Sequence, residues 1–269
     1  MIRTSLVAAA VAVASFGAHA DLFDQNVVSP PGVFFGSGNT NGGFTTETAN
    51  ELELALRGKL RHDPTSTPVG QAKNQWNSNG DGTYSFAAGQ AVGQAAGTAI
   101  WSFEWSINTN ITGAANGATL DDYTYMLGLD SDPSQGTNYS MFDLINGINP
   151  GNGSVCWDHN TGTNSAASAV VNCGAANAAS NYAALLATNN AAQNSWKPHW
   201  FIAGFDPTVD GTYNIFLSAS NASGEVARTD IQIIVGQGGA AVVPEPASLA
   251  LVGVALAGLA VSRRRKQAR

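Results

Sequence analysis

The sequence has 269 residues with 12 Lys and Arg against 19 Asp and Glu, a formal net charge of −7. Residues 21–243 hold 6 of the 12 bases and 18 of the 19 acids, so the body without its ends stands at −12. That balance excludes a basic footprint for nucleic acid or anionic lipid, and it would repel an acidic polysaccharide unless Ca²⁺ bridges the carboxylates or the sugar is neutral.

The chain opens as a secretory leader: Arg3 is the basic region, Leu6–Phe16 the apolar region, and Ala18-His19-Ala20 a small-x-small cleavage site. Cleavage after Ala20 makes Asp21 the mature terminus. The Sec translocon and signal peptidase are the partners this implies, and the chain is expected outside the cytoplasm. Three segments result: a leader over 1–20, an exported domain over 21–239 and a tail over 240–269.

Within the exported domain, apolar residues alternate with period two, the signature of half-buried strands. Leu52, Leu54, Leu56 and Leu60 share one face of 51–61, with Gly58 in the same row. Trp101, Phe103, Trp105 and Ile107 alternate with Ser102, Glu104 and Ser106, and Tyr123, Tyr125, Leu127 and Leu129 repeat the pattern. Further strands are expected over 83–87, 139–145, 200–204, 212–219 and 226–235, separated by turns such as Asn79-Gly80-Asp81-Gly82 and Asn149-Pro150-Gly151. Eight such strands predict an all-β fold, an antiparallel β-sandwich with immunoglobulin-like or jelly-roll strand order. The last hairpin resembles the closing hairpin of immunoglobulin-like domains, with Tyr213 as the corner tyrosine. Residues 160–195 contain 12 Ala and 8 Asn, which reads as a surface insertion with a short helix near 178–187.

The tail has three parts in order: Val243-Pro244-Glu245-Pro246, an uncharged apolar run over 247–261, and the bases Arg263, Arg264, Arg265 and Lys266 within 263–269. The two prolines favour an extended, strand-like segment. The apolar run predicts a single C-terminal transmembrane helix, short for a bilayer at about 22 Å. The basic cluster places the end beyond it in the cytoplasm. These residues resemble the PEP-CTERM sorting signal of exported Gram-negative proteins. The resemblance implies processing by the membrane enzyme exosortase and an inner-membrane-anchored precursor, later released to the cell surface or an exopolysaccharide matrix. Exported proteins of that kind also share the segments at 79–86, 101–105, 129–133, 193–196 and 205–213, a likeness that transfers no catalytic residue.

Several side chains merit a chemical reading. Cys156 and Cys173 are the only cysteines, and an even count in an exported chain predicts a disulfide, worth roughly 3 kcal/mol by loop closure. Asp130, Asp132 and Asp143 are candidate oxygen ligands for Ca²⁺, the one cofactor considered, although their spacing is not that of an EF-hand loop. Asp121 and Asp122 are placed at a strand entrance, pointing to opposite faces. His62, His159 and His199 have no nucleophile motif beside them. The sequence is therefore read as a non-catalytic surface or matrix protein associated with exopolysaccharide or biofilm. The alternative is a carbohydrate-binding module or glycan-active protein, which would need Trp101 and Trp105 on the outside.

Overall fold

The computed structural model describes residues 20–28, 32–35, 39–62, 75–115 and 117–240. Its strands are β1 (Leu22–Gln25), β2 (Phe44–Ala49), β3 (Leu52–Leu60), β4 (Thr83–Phe86), β5 (Trp101–Asn108), β6 (Thr124–Asp130), β7 (Tyr139–Phe142), β8 (Asn160–Thr163), β9 (Ala166–Ala169), β10 (Ala191–Trp196), β11 (Gly211–Asn221) and β12 (Gly224–Val235). One helix, α1 (Ala178–Leu186), is accompanied by short 3-10 turns at Leu120–Asp122 and Pro198–Trp200. The strands form two open sheets, one of order β1-β2-β3-β5-β10-β8-β9 and one of order β4-β12-β11-β6-β7. All pairings are antiparallel except that of β4 with β12.

The leucine row of β3 and the aromatic row of β5 explain how the sheets meet. Leu54 pairs with Ile107, Leu56 with Trp105 and Leu60 with Trp101, so one face of this sheet is continuously apolar. That face packs on Tyr125, Leu127 and Leu129 of β6, Ile215 and Leu217 of β11 and Ile231 and Ile233 of β12. Gly58 interrupts the leucine row where the layers approach closest: a Cβ there would lie 2.7 Å from Ile233 Cδ1 and 2.8 Å from Tyr84 Cβ.

The opposite face of β3 and β5 is also buried, although its residues are polar. Residues 26–28, 32–35 and 39–43 cover it. Gln193 Nε2 donates to Gly32 O at 3.0 Å and its Oε1 accepts from Phe34 N at 3.0 Å. Beneath this cover Glu104 pairs with Arg57 (Nη2 at 2.6 Å) and with Lys59. Arg57 also lies 4.1 Å from the Phe44 ring centroid and 4.9 Å from that of Trp76, a cation held between two aromatic faces. Burial pushes the Lys59 ammonium below its ordinary value, against the opposing pull of Glu104. Asn50 and Glu51, at φ 50° and 67°, make the two-residue turn that joins β2 to β3.

Several expectations are corrected. The alternation at 51–61, 83–87, 101–107 and 123–129 coincides with strands, but 200–204 is no strand: a 3-10 turn ends at Trp200 and turns follow. The stretch 160–195 is no mere insertion, since it supplies β8, β9 and β10, and β10 lies between β5 and β8. Its small residues Ala191 and Ala192 are wholly buried there. Strand order matches neither expected arrangement in full. β12-β11-β6 and β5-β10-β8 are neighbours as G-F-C and B-E-D are in an immunoglobulin-type domain, but β1, β2 and β3 extend one sheet and the parallel β4 edges the other. Tyr213 packs its ring on Trp101 and Phe205 at 5.9 and 5.7 Å, a core contact rather than a corner tie.

The fold class is also corrected on its membrane element. Among the described residues no helix is long and apolar enough to cross a membrane; the longest, α1, has nine residues. Two open β-sheets are what the structure supports, and the transmembrane helix and inner-membrane anchoring are withdrawn with it. The leader helix over 1–19, the expected helix at 247–261 and the basic residues Arg263, Arg264, Arg265 and Lys266 lie outside the described residues.

Candidate functional site

A cleft of about 530 Å³ opens where the end of β10 meets the loop over 149–158. Its inner wall is a stack of aromatic rings: Trp157 on Trp196 at 5.5 Å and 25°, Trp196 on Phe201 at 4.8 Å, and Phe142 behind them at 6.0 Å from Trp157. Trp157 is fixed by its indole N–H, which donates to Gly147 O at 3.0 Å. Cys156 and Cys173 are disulfide-bonded, with Cα atoms 5.5 Å apart, and both line the cleft. The bridge ties the 149–158 loop to the approach to α1, whose Tyr182 hydroxyl donates to Ile145 O at 2.9 Å.

His159 sits behind that wall, wholly buried between Trp105 (4.7 Å, edge to face) and Trp157 (5.3 Å, stacked). Its Nε2 lies 2.6 Å from Leu144 O; a carbonyl only accepts, so Nε2 carries the proton and Nδ1 accepts from Asn194 Nδ2 at 3.3 Å. Burial pushes this imidazole down to about 3, the Leu144 bond opposing only in part. The ring is therefore neutral across ordinary pH, a fixed acceptor that orients Asn194 at the cleft wall.

Arg61, just after β3, and Trp200, in the run Lys197-Pro198-His199-Trp200 just after β10, both line the cleft. Pro198 opens the 3-10 turn that swings Trp200 outward, where it stays 45% exposed. Arg61 lies 5.8 Å and Lys197 5.6 Å from the Trp200 ring centroid. Arg61 Nη1 donates to Ser195 O at 3.1 Å and to Ser195 Oγ at 3.0 Å, which holds the guanidinium at the rim. Burial lowers Lys197 from its ordinary value, and the nearby Arg61 charge lowers it further. Burial lowers His199 also, with Lys197 adding to the effect.

The aspartates read as Ca²⁺ ligands are not brought together. Asp130 Oδ1 accepts from the backbone N–H of Asp132 and Asn138 at 3.0 and 2.8 Å, and Asp132 Oδ1 accepts from Ser134 N at 2.9 Å. Asp143 binds Ile145 N at 2.8 Å and Tyr125 N at 3.3 Å, so it meets the start of β6 while Asp130 ends that strand. Five residues of strand separate the two by about 16 Å. Among the described residues no group of three His, Cys, Asp or Glu could hold a metal ion. Asp121 and Asp122 stand on a 3-10 turn and accept hydrogen bonds from Thr119 rather than flanking a reaction centre.

Trp101, Phe103 and Trp105 are buried at 1% exposure or less, so they cannot serve as an outer sugar platform. The aromatic surface is formed instead by Trp200, which sequence reading placed in a strand. The signal that was present is the run Lys197-Pro198-His199-Trp200: two basic-type residues and an aromatic around a turn-forming proline. Of the other site residues, Ala20 and Asp21 precede β1, with Asp230 N 3.3 Å from Asp21 Oδ2. Ala18 and Val243, Pro244, Glu245 and Pro246 lie outside the described residues.

Compared with known proteins, residues 242–266 match the PEP-CTERM protein-sorting motif. No curated protein and no solved structure matches the chain. The motif marks an exported chain sorted and processed by exosortase, in which this protein is the non-catalytic substrate and not the processing enzyme.

Proposed function

We propose that the protein is a structural constituent of the cell surface or extracellular matrix, retained with exopolysaccharide in a biofilm. The observation that carries the reading is the 242–266 sorting motif. Export by the Sec translocon and removal of 1–20 by signal peptidase supply the preceding step. β1 begins at Leu22, so a cut after Ala20 removes no described strand. The Cys156–Cys173 bridge suits a compartment in which thiols oxidise. Val243–Pro246, within the matched motif, is the segment presented for processing.

Replacing Pro244-Glu245-Pro246 by three alanines in the producing organism tests this. Export is expected to continue while the mass shift of processing disappears and the protein leaves the polysaccharide fraction. An unchanged surface mass would defeat the reading. Incubating the full chain with the producer's polysaccharide is expected to release no new reducing ends, and steady release would make it an enzyme. A second reading, a carbohydrate-binding module, is favoured by the Trp200 cleft.

A further inference from the structure

The described body contains five bases, Arg57, Lys59, Arg61, Lys197 and Arg228. Arg57 and Lys59 are paired with Glu104, and Arg228 with Asp230. Arg61 and Lys197 have no carboxylate at ion-pair distance among the described residues, and both stand over the ring of Trp200, which lines the cleft together with Arg61. In a body of net charge −12 such a pair stands out: two like charges share one ring, next to a cavity that Asp158 also lines. Each repels the other, and Lys197 is lowered partly for that reason. An anion placed between them would relieve the repulsion.

The rest of the cleft fits a sugar ring. Trp200 offers an exposed indole face on which the apolar C–H face of a pyranose can stack. Asn194, fixed by buried His159, and exposed Asp158 supply directional groups that suit hydroxyls. An Arg fork beside a Lys ammonium is suited to a carboxylate.

We infer that this cleft binds a uronate residue of an acidic polysaccharide, with the pyranose ring on Trp200 and the carboxylate between Arg61 and Lys197. The inference deepens the matrix reading and rests on it for the source of the polymer. It also replaces the expectation that an acidic body requires Ca²⁺ or a neutral glycan: long-range repulsion is screened beyond about 8 Å at physiological salt, while the contact at the cleft is short-range.

The test is calorimetric titration of the full chain at about 0.15 M salt with tetragalacturonate and with its carboxyl-reduced, neutral counterpart. The acidic tetramer is expected to bind at least about tenfold more tightly, the scale of one charge-assisted hydrogen bond. Lys197→Gln and Trp200→Ala are expected to weaken it about tenfold or more. Arg228→Gln, which changes net charge by the same unit away from the cleft, is expected to leave it unchanged. The Lys197 ammonium makes no hydrogen bond among the described residues, and its backbone bond from Trp200 N does not depend on the side chain, so the Lys197→Gln variant decides the matter even if Trp200→Ala fails to fold.

Equal affinity for the two tetramers overturns the inference. So does no binding of either, or equal weakening by Lys197→Gln and Arg228→Gln. Retention is read separately, as the amount of Lys197→Gln protein in the producer's polysaccharide fraction. Cleft binding that fails while retention persists sinks the inference alone. Wild-type binding of the acidic tetramer without retention of the wild-type protein in that fraction sinks the matrix reading alone.

Discussion

His159 and Asn194 join the buried core to the cleft: the imidazole Nδ1 accepts from Asn194 Nδ2 at 3.3 Å while Nε2 holds the Leu144 carbonyl at 2.6 Å. The Asn194 bond requires the neutral ring, whereas the Leu144 bond would survive protonation. Protonation at Nδ1 would set a donor against the Asn194 amide and place a charge among Trp105, Trp157, Trp196 and Tyr182. The cleft wall is thus as stable as that ring is hard to charge.

The pH dependence follows with a definite sign. The folded imidazole titrates at about 3, below its ordinary 6.5, so the unfolded chain binds the extra proton first. The stability tied to neutral His159 is complete above 6.5 and drains away as pH falls towards 3. At pH 4 the loss is about 3 kcal/mol relative to pH 7. His159→Gln is expected to be less stable at pH 7, since it loses ring packing, but to lack this acid-linked term. Urea unfolding of both proteins at pH 7 and pH 4 checks it. A wild-type minus variant difference that does not shrink between the two pH values would refute the role assigned to the ring.

The Arg57–Glu104–Lys59 cluster makes a second test. Its members are buried beneath residues 39–43, with Arg57 Nη1 donating to Thr40 O at 3.0 Å. Removing one partner leaves an uncompensated buried charge, which costs about 3–5 kcal/mol. Glu104→Gln is expected to lose that much. Replacing Glu104, Arg57 and Lys59 together by Leu, Met and Met is expected to recover most of it. Chemical denaturation of the single and triple variants decides; a triple variant no better than the single one counts against the argument.

How far the sequence could be read depends on what each segment packs against. β5 is legible because Trp101, Phe103, Trp105 and Ile107 alternate with small or polar residues, and the core selects that alternation. β10 is not legible. Ala191, Ala192 and Gln193 carry no apolar rhythm, and their strand is fixed by hydrogen bonding to β5 on one side and β8 on the other. The burial of Glu104 and Arg57 was hidden too, since alternation says which face is polar but not that residues 39–43 will cover it. The cleft draws Arg61, Asn149, Cys173 and Trp200 from four separate places in the chain. Only the pairing of β3, β5 and β10 makes them neighbours, and no local pattern records it.

The Cys156–Cys173 bridge closes a loop of 17 residues' separation at the cleft wall. Loop closure of that size is worth about 3 kcal/mol. Replacing both cysteines by serine is expected to lower the thermal midpoint by roughly 6–12 °C, at about 2–4 °C per kcal/mol for a domain of this size. It should also loosen the ring stack more than the distant β11–β12 hairpin. Hydrogen exchange at Trp157 and at Ile231 separates the two: equal protection loss at both would show that the bridge acts on the whole fold rather than on the cleft.

Glu53 gives the last prediction, with the opposite sign to His159. Its side chain is almost wholly buried, and both carboxylate oxygens accept from Val28 N, at 2.9 and 3.0 Å. Burial pushes the acid up to about 7 from its ordinary 4.5, and the Val28 bond offsets only part of that. The folded state therefore holds the proton more tightly. This contribution is complete below 4.5 and is lost as pH rises through 7, a cost of about 3 kcal/mol in total. Glu53→Gln keeps an oxygen acceptor for Val28 and never charges. Its stability should match the wild type near pH 4 and exceed it by about 2–3 kcal/mol at pH 8. Between 4.5 and 6.5 the slopes from Glu53 and His159 oppose, so their combined contribution to wild-type stability is nearly level there, and each single variant should restore the other's slope. Denaturation midpoints at four pH values test this directly. A Glu53→Gln protein no more stable than wild type at pH 8 would mean that the carboxylate is charged and solvated rather than held beneath residues 26–28.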